Sequence, residues 1–492
     1  MAKVLTAGSP WRVILVFAVP LLVGNVVQQL YQFADAIVVG RHLGVDSLGA
    51  VGATGSLLFL LLGFVWGMTS GFAIPTAQAY GARDHDAVRR SVAAGTILTG
   101  VASILLTIGA PLLAGPALSL LRTPAELMPE ATTFAQVSFL GTSALMFFNY
   151  LSAIIRAIGD SRTPLVFLTI ACVLNVVLVV LMVGPLGLGV GGAALATVVA
   201  QAISVGLCLE LVRRRIPVLH VRRSDWRVPR ADLLEHLRLG LPMGFQASII
   251  AIGTLAVQVR LNELGADAVT AYTTASRVDG LAVALLQSLG LAVSMFVAQN
   301  LGGGRPDRIR RGVVQATWLA VAGSVALGVV IIPSGGALVR LFVGDGADEV
   351  VALATSFLHV NAALYTLLGV LFVLRGALQG LGRTGVPTLT GVIELVMRVG
   401  AAVLGAMFGF IGVVWGNPLA WAGAVVLLVP AYLRAHRHLA TLPIAPLEQL
   451  AATPDPVPVE GPVDGSMAVD AVVPQPRVDE VGAADVEAGR TC

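Results

Sequence analysis

The chain has 492 residues, 56% of them hydrophobic and only 12% charged, with a mean hydropathy of +0.87. That balance excludes a soluble globular domain and requires a membrane as solvent. The formal charge of +3 hides an asymmetry, because residues 441–492 carry −7 and residues 1–440 carry +10.

Taken in chain order, residues 1–12 form a short basic amino terminus and residues 13–212 a first set of six apolar runs, near 13–34, 50–75, 93–121, 132–155, 165–188 and 190–209. Each approaches or exceeds the roughly 20 residues that a spanning helix needs. Continuity of the runs predicts helices, since a membrane barrel would alternate at period two in shorter pieces. No small-residue cleavage site follows the first run, which reads as a retained span and not as a removable signal. Residues 213–238 (RRRIPVLHVRRSDWRVPRADLLEHLR) carry eight arginines against three acids and two histidines, a composition suited to a linker lying on anionic headgroups. In isolation the same segment could pass for a nucleic-acid patch; its place between spans six and seven gives the membrane reading, and no nucleic-acid partner is expected. Residues 239–440 hold six further runs, near 240–259, 280–301, 313–338, 352–374, 389–411 and 413–433. Residues 441–492 turn to Pro, Val, Ala and acids, too polar and too Pro-rich for a core, and are expected to be a disordered cytoplasmic tail.

The two halves repeat. Residues 76–90 (TAQAYGARDHDAVRR) align without a gap with residues 297–311 (VAQNLGGGRPDRIRR) at an offset of 221. Gln78 meets Gln299, Gly81 meets Gly302, Asp86 meets Asp307, and Arg89 and Arg90 meet Arg310 and Arg311. A duplication of this size predicts two pseudo-symmetric six-helix lobes around a shared cavity, an all-α membrane protein of twelve spans. With the amino terminus inside, 23 Lys and Arg fall on inner loops and flanks, Arg375 and Arg383 among them, and five on the outer side, so both termini are expected in the cytoplasm of a plasma-membrane protein.

Motifs for soluble chemistry are missing or misplaced. Cys172, Cys208 and Cys492 form no spaced set, no H-E-x-x-H occurs, and no metal is expected. The string GLGVGG (187–192) satisfies G-x-G-x-x-G in form but falls in the turn between spans five and six, and no Walker-type G-x-x-x-x-G-K-[ST] is present. No cofactor is expected, and energy for transport must come from outside the chain, most simply an ion gradient. An enzyme would need a paired acid, a Ser–His set or a metal cluster, and the sequence offers none.

Polar chemistry concentrates in the first span, PLLVGNVVQQLYQFADAIVVG (20–40), whose one carboxylate is Asp35. Gln28, Gln32 and Asp35 share a helical face and Tyr31 lies one turn before the acid. An acid at this depth is a functional candidate by default, set against a helix that ends early with Asp35 among headgroups. Pro20 lacks an amide hydrogen and should allow a bend. Elsewhere Glu394 and Arg398 form an i, i+4 pair expected to neutralise itself, with a substrate contact as the secondary reading. His359 is expected to be a hydrogen-bonded structural residue. Gly63, Gly67 and Gly71 are spaced for close helix packing. Gln28, Asn149 and Arg277 could line a substrate path, or equally bond between helices.

The P-x₁₄-D first span, the A-Q-x-x-G stretches after spans two and eight, the turns RAIGDSRTP (156–164) and QGLGRTGVP (379–387), and GVGGAALAT (189–197) together resemble the multidrug and toxic compound extrusion (MATE) family, over residues 13–440. Within it they are similar to the branch named after the DNA-damage-inducible protein. The resemblance implies a twelve-helix exporter, no enzyme, working as a monomer and antiporting amphipathic or cationic small molecules outward against inward protons or sodium. It implies an ion site of Asp35, Tyr31, Asn175 and Thr197. The family's second acid, four residues after the asparagine, is Val179 here, and span seven (238–258) has no acid, so a proton bound in the first lobe is favoured over sodium. A lipid-precursor flippase of the same superfamily is the alternative.

Overall fold

The computed structural model describes residues 5–121, 123–344 and 347–444, and their regular structure is helical. The acidic tail expected to be disordered lies outside the described residues. The first lobe comprises α1 (Pro10–Leu43), α2 (Val45–Gly81), α3 (His85–Leu120), α4 (Met128–Leu140), α5 (Thr142–Ala157), α6 (Arg162–Val183) and α7 (Gly189–Arg215). The second comprises α8 (Arg230–Leu264), α9 (Ala266–Gly302), α10 (Pro306–Val343), α11 (Asp348–Ala363), α12 (Tyr365–Gly380), α13 (Gly385–Phe408), α14 (Phe410–Val414) and α15 (Gly416–Thr441). Among the described residues ten helical stretches are long and apolar enough to cross a membrane, or up to twelve if the bent pairs α4/α5 and α11/α12 each count as one span. Helix is the form these sequences must take in lipid, because it satisfies every backbone donor and acceptor within the segment. Helices α7 and α8 run into the expected 213–238 linker from both sides, leaving residues 216–229 as the connection.

The fourth runs of the two halves, expected to be continuous over 132–155 and 352–374, are broken. The first bends by 47° at Gly141 and the second by 51° at Leu364. At each break the amide turns to a carbonyl three residues back, Gly141 N to Ser138 O at 3.1 Å and Leu364 N to Asn361 O at 3.0 Å, tightening the last turn so that the next helix leaves in a new direction. Apolar composition carries no signal for such a break.

The duplication is written into the backbone. Gly44 (φ +90°) and Gly265 (φ +103°) close the first turn of each lobe, and Arg83 (φ +58°) and Gly304 (φ +61°) the second, each pair at the sequence offset of 221. Arg83 holds a left-handed conformation that costs an ordinary side chain about 1–2 kcal/mol; its counterpart is glycine.

The lobes meet on the face that carries residues 5–9 and the turns at 82–84 and 303–305. There α2 and α9 cross so closely that a Cβ on Gly81 would lie 1.9 Å from the Gln299 carbonyl oxygen, and one on Gly302 1.8 Å from that of Gln78. The same two glutamines bond across the junction in matching fashion. Gln299 Nε2 donates to Ala157 O at 2.7 Å and Gln78 Nε2 to Gly380 O at 3.1 Å. A second seam joins α2 to α8. As expected, the small-residue steps serve packing: a Cβ on Gly67 would come 2.3 Å from Met243 O and one on Gly71 2.6 Å from Gly240 Cα. This seam ends near Leu60 and Ser248, whose Oγ donates to Leu60 O at 3.4 Å. Beyond it Phe59, Ile252 and Val259 are exposed, and a Cβ on Gly52 or Gly55 would meet open space. Interlobe packing of α2 is therefore dense on one face and gives out toward the other.

Helix α1 belongs to both lobes. Its early residues Ile14, Phe17 and Ala18 lie in the apolar cluster that fills the second lobe and takes in Ala73, Ala77 and Ala157 at the junction, whereas Val39 packs with Val179, Val183 and Val190 of α6 and α7 in the first. The strand of chain before it is tied to the second lobe by Leu5 N to Gln299 Oε1 (2.8 Å), Arg308 Nη1 to Gly8 O (2.8 Å) and Trp11 N to Gln315 Oε1 (3.1 Å). Past Pro20 the helix is still joined to the second lobe, Asn25 Nδ2 donating to Ser288 Oγ of α9 at 3.0 Å, and it runs through the proline without a break.

Substituting Gly81 or Gly302 by alanine should force α2 and α9 apart, at the roughly 1–3 kcal/mol typical of overpacking. In a background lacking the native cysteines, a cysteine at buried Ala77 should then react with a membrane-impermeant thiol reagent about tenfold faster, since ~1.4 kcal/mol corresponds to a factor of ten. Unchanged labelling would show that the crossing does not hold this face shut.

Candidate functional site

Three of the four residues expected to form an ion site come together inside the first lobe, where α1 packs against α6 and α7. Thr197 Oγ1 of α7 is the shared centre. It accepts from Asn175 Nδ2 of α6 at 2.9 Å and lies 3.2 Å from Tyr31 Oη of α1. Asp35 follows one turn after Tyr31 on the same helix face. Its Oδ1 is buried and has no hydrogen-bond partner, and the same holds for Asn175 Oδ1. Two acceptor oxygens thus lie buried without donors beside a satisfied hydroxyl pair. A buried acceptor left unmade costs about 1–3 kcal/mol; a proton on the carboxylate would remove its charge and relieve that cost at Asp35. Asp35 does not sit beyond an early helix end, since α1 continues to Leu43. Val179, where the sequence lacks a second acid, is fully buried in the apolar cluster with Val39.

The substrate-path residues are not gathered here. Gln28 and Arg277 are exposed, on α1 and α9. Asn149 spends its Nδ2 on the Leu145 carbonyl of its own helix at 2.9 Å. The side chain of Gln32 lies outside those described. His359 bonds the Ile332 carbonyl at 2.8 Å, the structural role expected of it.

The second lobe holds two polar clusters that sequence reading undervalued. Asp279 of α9 is buried and accepts from Tyr365 Oη at 2.7 Å and from Asn361 Nδ2 at 3.4 Å, residues on either side of the α11/α12 break. Its neighbours in the sequence, Arg277 and Gly280, make it look like a helix end; only the 37-residue length of α9 places it inside. The other cluster changes the expected Glu394–Arg398 pair. Glu394 Oε1 is held by Arg375 of α12, while Arg398 Nη1 stands 3.7 Å from Glu394 Oε2. Arg375 was expected on a positive inner flank and instead lies buried in the lobe, because helix α12 carries it inward to the one carboxylate that can compensate it.

Among the described residues no group of three or more His, Cys, Asp or Glu could hold a metal ion. Replacing Thr197 by alanine should strip Asn175 Nδ2 of its acceptor and lower stability by about 1–3 kcal/mol, visible as a lower midpoint of thermal unfolding in detergent. Thr197→Ser should keep it; equal losses in both variants would mean that the methyl group, not the hydroxyl, matters.

Comparison with known proteins follows the same duplication. The model of the family named MatE matches residues 20–181 and residues 242–404. Both matches begin at a proline, Pro20 and Pro242, inside the first helix of each lobe. The probable multidrug resistance protein YpnP of Bacillus subtilis is 30% identical over 379 residues, covering 77% of this chain and 84% of that protein. The probable multidrug resistance protein YoeA of the same organism is 28% identical, covering 86% and 94%. In fold the chain is similar to a solved transporter of the MOP superfamily from Pyrococcus furiosus, with a TM-score of 0.80 at 22% identity over 89% of this chain and 97% of that one.

Proposed function

Because this chain belongs to the MatE family of membrane transporters, we propose that it is a secondary exporter in which protonation of Asp35 drives amphipathic or cationic compounds out of the cell. The names of its relatives support multidrug efflux as the class of activity. One observation carries the coupling: the unpartnered Asp35 and Asn175 oxygens lie on and beside a helix whose opposite end is fixed in the other lobe. A change of charge at Asp35 alters how α1 packs on α6 and α7. Since α1 is also held by the second lobe, through residues 5–18 and through Asn25, that repacking shifts one lobe against the other, with Pro20 a point at which the helix can bend.

The basic face is the cytoplasmic one in this reading, which puts both ends of the helical body inside and the protein in the plasma membrane. Losing Arg375 from the inner flank leaves the excess of positive charge there large. With this orientation the lobes are sealed toward the cytoplasm by the α2–α9 crossing and part toward the outside, the state from which substrate leaves and a proton enters. A proton is preferred to sodium as coupling ion because it needs a single oxygen, whereas a bare cation at this site would have one carboxylate and otherwise neutral ligands, Val179 supplying none. The cycle needs no cofactor and no second copy of the chain.

In proteoliposomes with an imposed pH gradient, wild-type protein should expel a fluorescent cation from its side of loading and Asp35→Asn should fall to the level of empty vesicles while eluting as a folded monomer in detergent. A sodium gradient should not substitute. Undiminished efflux by Asp35→Asn would remove the residue from the coupling step.

A further inference from the structure

The Arg375–Glu394–Arg398 cluster lies in the second lobe, away from the proton site. Two guanidinium groups face one carboxylate, with all three residues at least nine-tenths buried; the other buried acid of the lobe, Asp279, is engaged by Tyr365 and Asn361 and makes no ion pair with either arginine, so within the cluster one positive charge has no counter-charge in contact. Its hydrogen bonding is lopsided in the same sense. Arg375 Nε, Arg398 Nε and Nη1, and Gln246 Nε2 of α8 are buried and make no hydrogen bond. Glu394 is already engaged by Arg375, whose Nη2 also reaches Thr390 Oγ1 at 3.3 Å, and Gln246 Oε1 is used by Gln379 Nε2 at 3.2 Å. What the cluster lacks is therefore acceptors and one negative charge.

A self-neutralising structural pair would show neither deficit. A buried charge without a partner is among the most expensive things a fold can hold, so a missing counter-ion is a specific requirement. The backbone also makes room for these side chains. A Cβ on Gly253 of α8 would come 3.2 Å from Arg398 Cδ, and one on Gly391 of α13 3.1 Å from Gln246 Cγ, so both stems lie in glycine-lined grooves.

We propose that this cluster is the seat for a carboxylate group on the exported compound, held by Arg398 and Arg375 with Gln246 as a neutral donor. A single negative charge matches the single excess positive one, and the planar fork of a guanidinium fits a planar carboxylate. The substrate class is then apolar compounds bearing one carboxylate, zwitterions included, and not cations alone. The inference rests on the export reading above and places proton and substrate in different lobes, so that each is bound without competing for one acid.

The test is equilibrium binding to the purified, full-length protein in detergent, with no gradient present. A panel of cationic xanthene dyes is offered, each as the free acid and as its methyl ester, and affinity is read by fluorescence anisotropy. Wild type should bind the acids about tenfold or more tighter than the esters, as expected for charge-assisted bidentate contacts. Arg398→Gln should erase that preference by weakening the acids while leaving the esters unchanged; Arg398→Lys should retain part of it. Equal affinity for acid and ester in wild type, failure of every acid to bind, or an equal loss of both forms in Arg398→Gln and Arg398→Lys would overturn the proposal. Should Arg398→Gln not fold, the wild-type comparison and Arg398→Lys still decide. The readout is independent of Asp35, so a failed coupling experiment and a failed seat give different results.

Discussion

Helix α1 is built into two bodies at once, and the rest of the molecule follows from that constraint. Its first turns are buried in the core of the second lobe through Ile14, Phe17 and Ala18, and its last turns in the first lobe through Val39. A helix shared in this way cannot respond to a local change by moving as a rigid rod, because burial at each end opposes it. In lipid the close van der Waals packing of these side chains against neighbouring helices is what holds each end in place. A change of shape must be taken up within the helix, and Pro20, which breaks one rung of the hydrogen-bond ladder, is a point at which it can bend. Asp35 is on the far side of that point, among the only groups of this helix whose charge can change.

The duplication supplies the second half of the design. Because the lobes are copies, the surfaces by which they meet are copies too, and the contact of Gly81 with Gln299 is answered by that of Gly302 with Gln78. Backbone approaches this close are all-or-none: a small separation of the helices loses the contact on both sides together, along with the paired glutamine bonds to Ala157 and Gly380. A symmetric junction of small residues is thus closed by both copies at once. The broken helices α4/α5 and α11/α12 occupy corresponding places in the lobes, and the break in the second lies beside Asp279, so the two copies share a scaffold while differing in the chemistry placed on it.

Much of this was legible in the sequence, for physical reasons that also mark its limit. Span number and the offset of 221 follow from apolar run length and from a motif repeated in register, whereas the grouping of Tyr31, Asn175 and Thr197 was implied only by the resemblance to the MATE family. The helix breaks were not legible, since Gly141 and Leu364 lie in runs whose hydropathy does not change across the bend. Asp279 was lost because run-based limits started the eighth span one residue after it, at 280. Arg375 was counted as a flank for the converse reason: charge looks like a boundary when its partner, Glu394, is 19 residues away in the chain and adjacent only in the fold. Local pattern identifies what a segment buries; it does not identify which buried polar groups meet.

The most direct test of the account asks whether charge at Asp35 sets the relation of the lobes. Spin labels at exposed Leu186 of the first lobe and Met407 of the second, in a background without Cys172, Cys208 and Cys492, report the separation of the lobes on the face away from residues 5–9 by pulsed dipolar spectroscopy. The account predicts two distance populations whose ratio follows pH in wild type and is fixed, at the value of the protonated state, in Asp35→Asn. A distribution in Asp35→Asn that still follows pH as wild type does would contradict it.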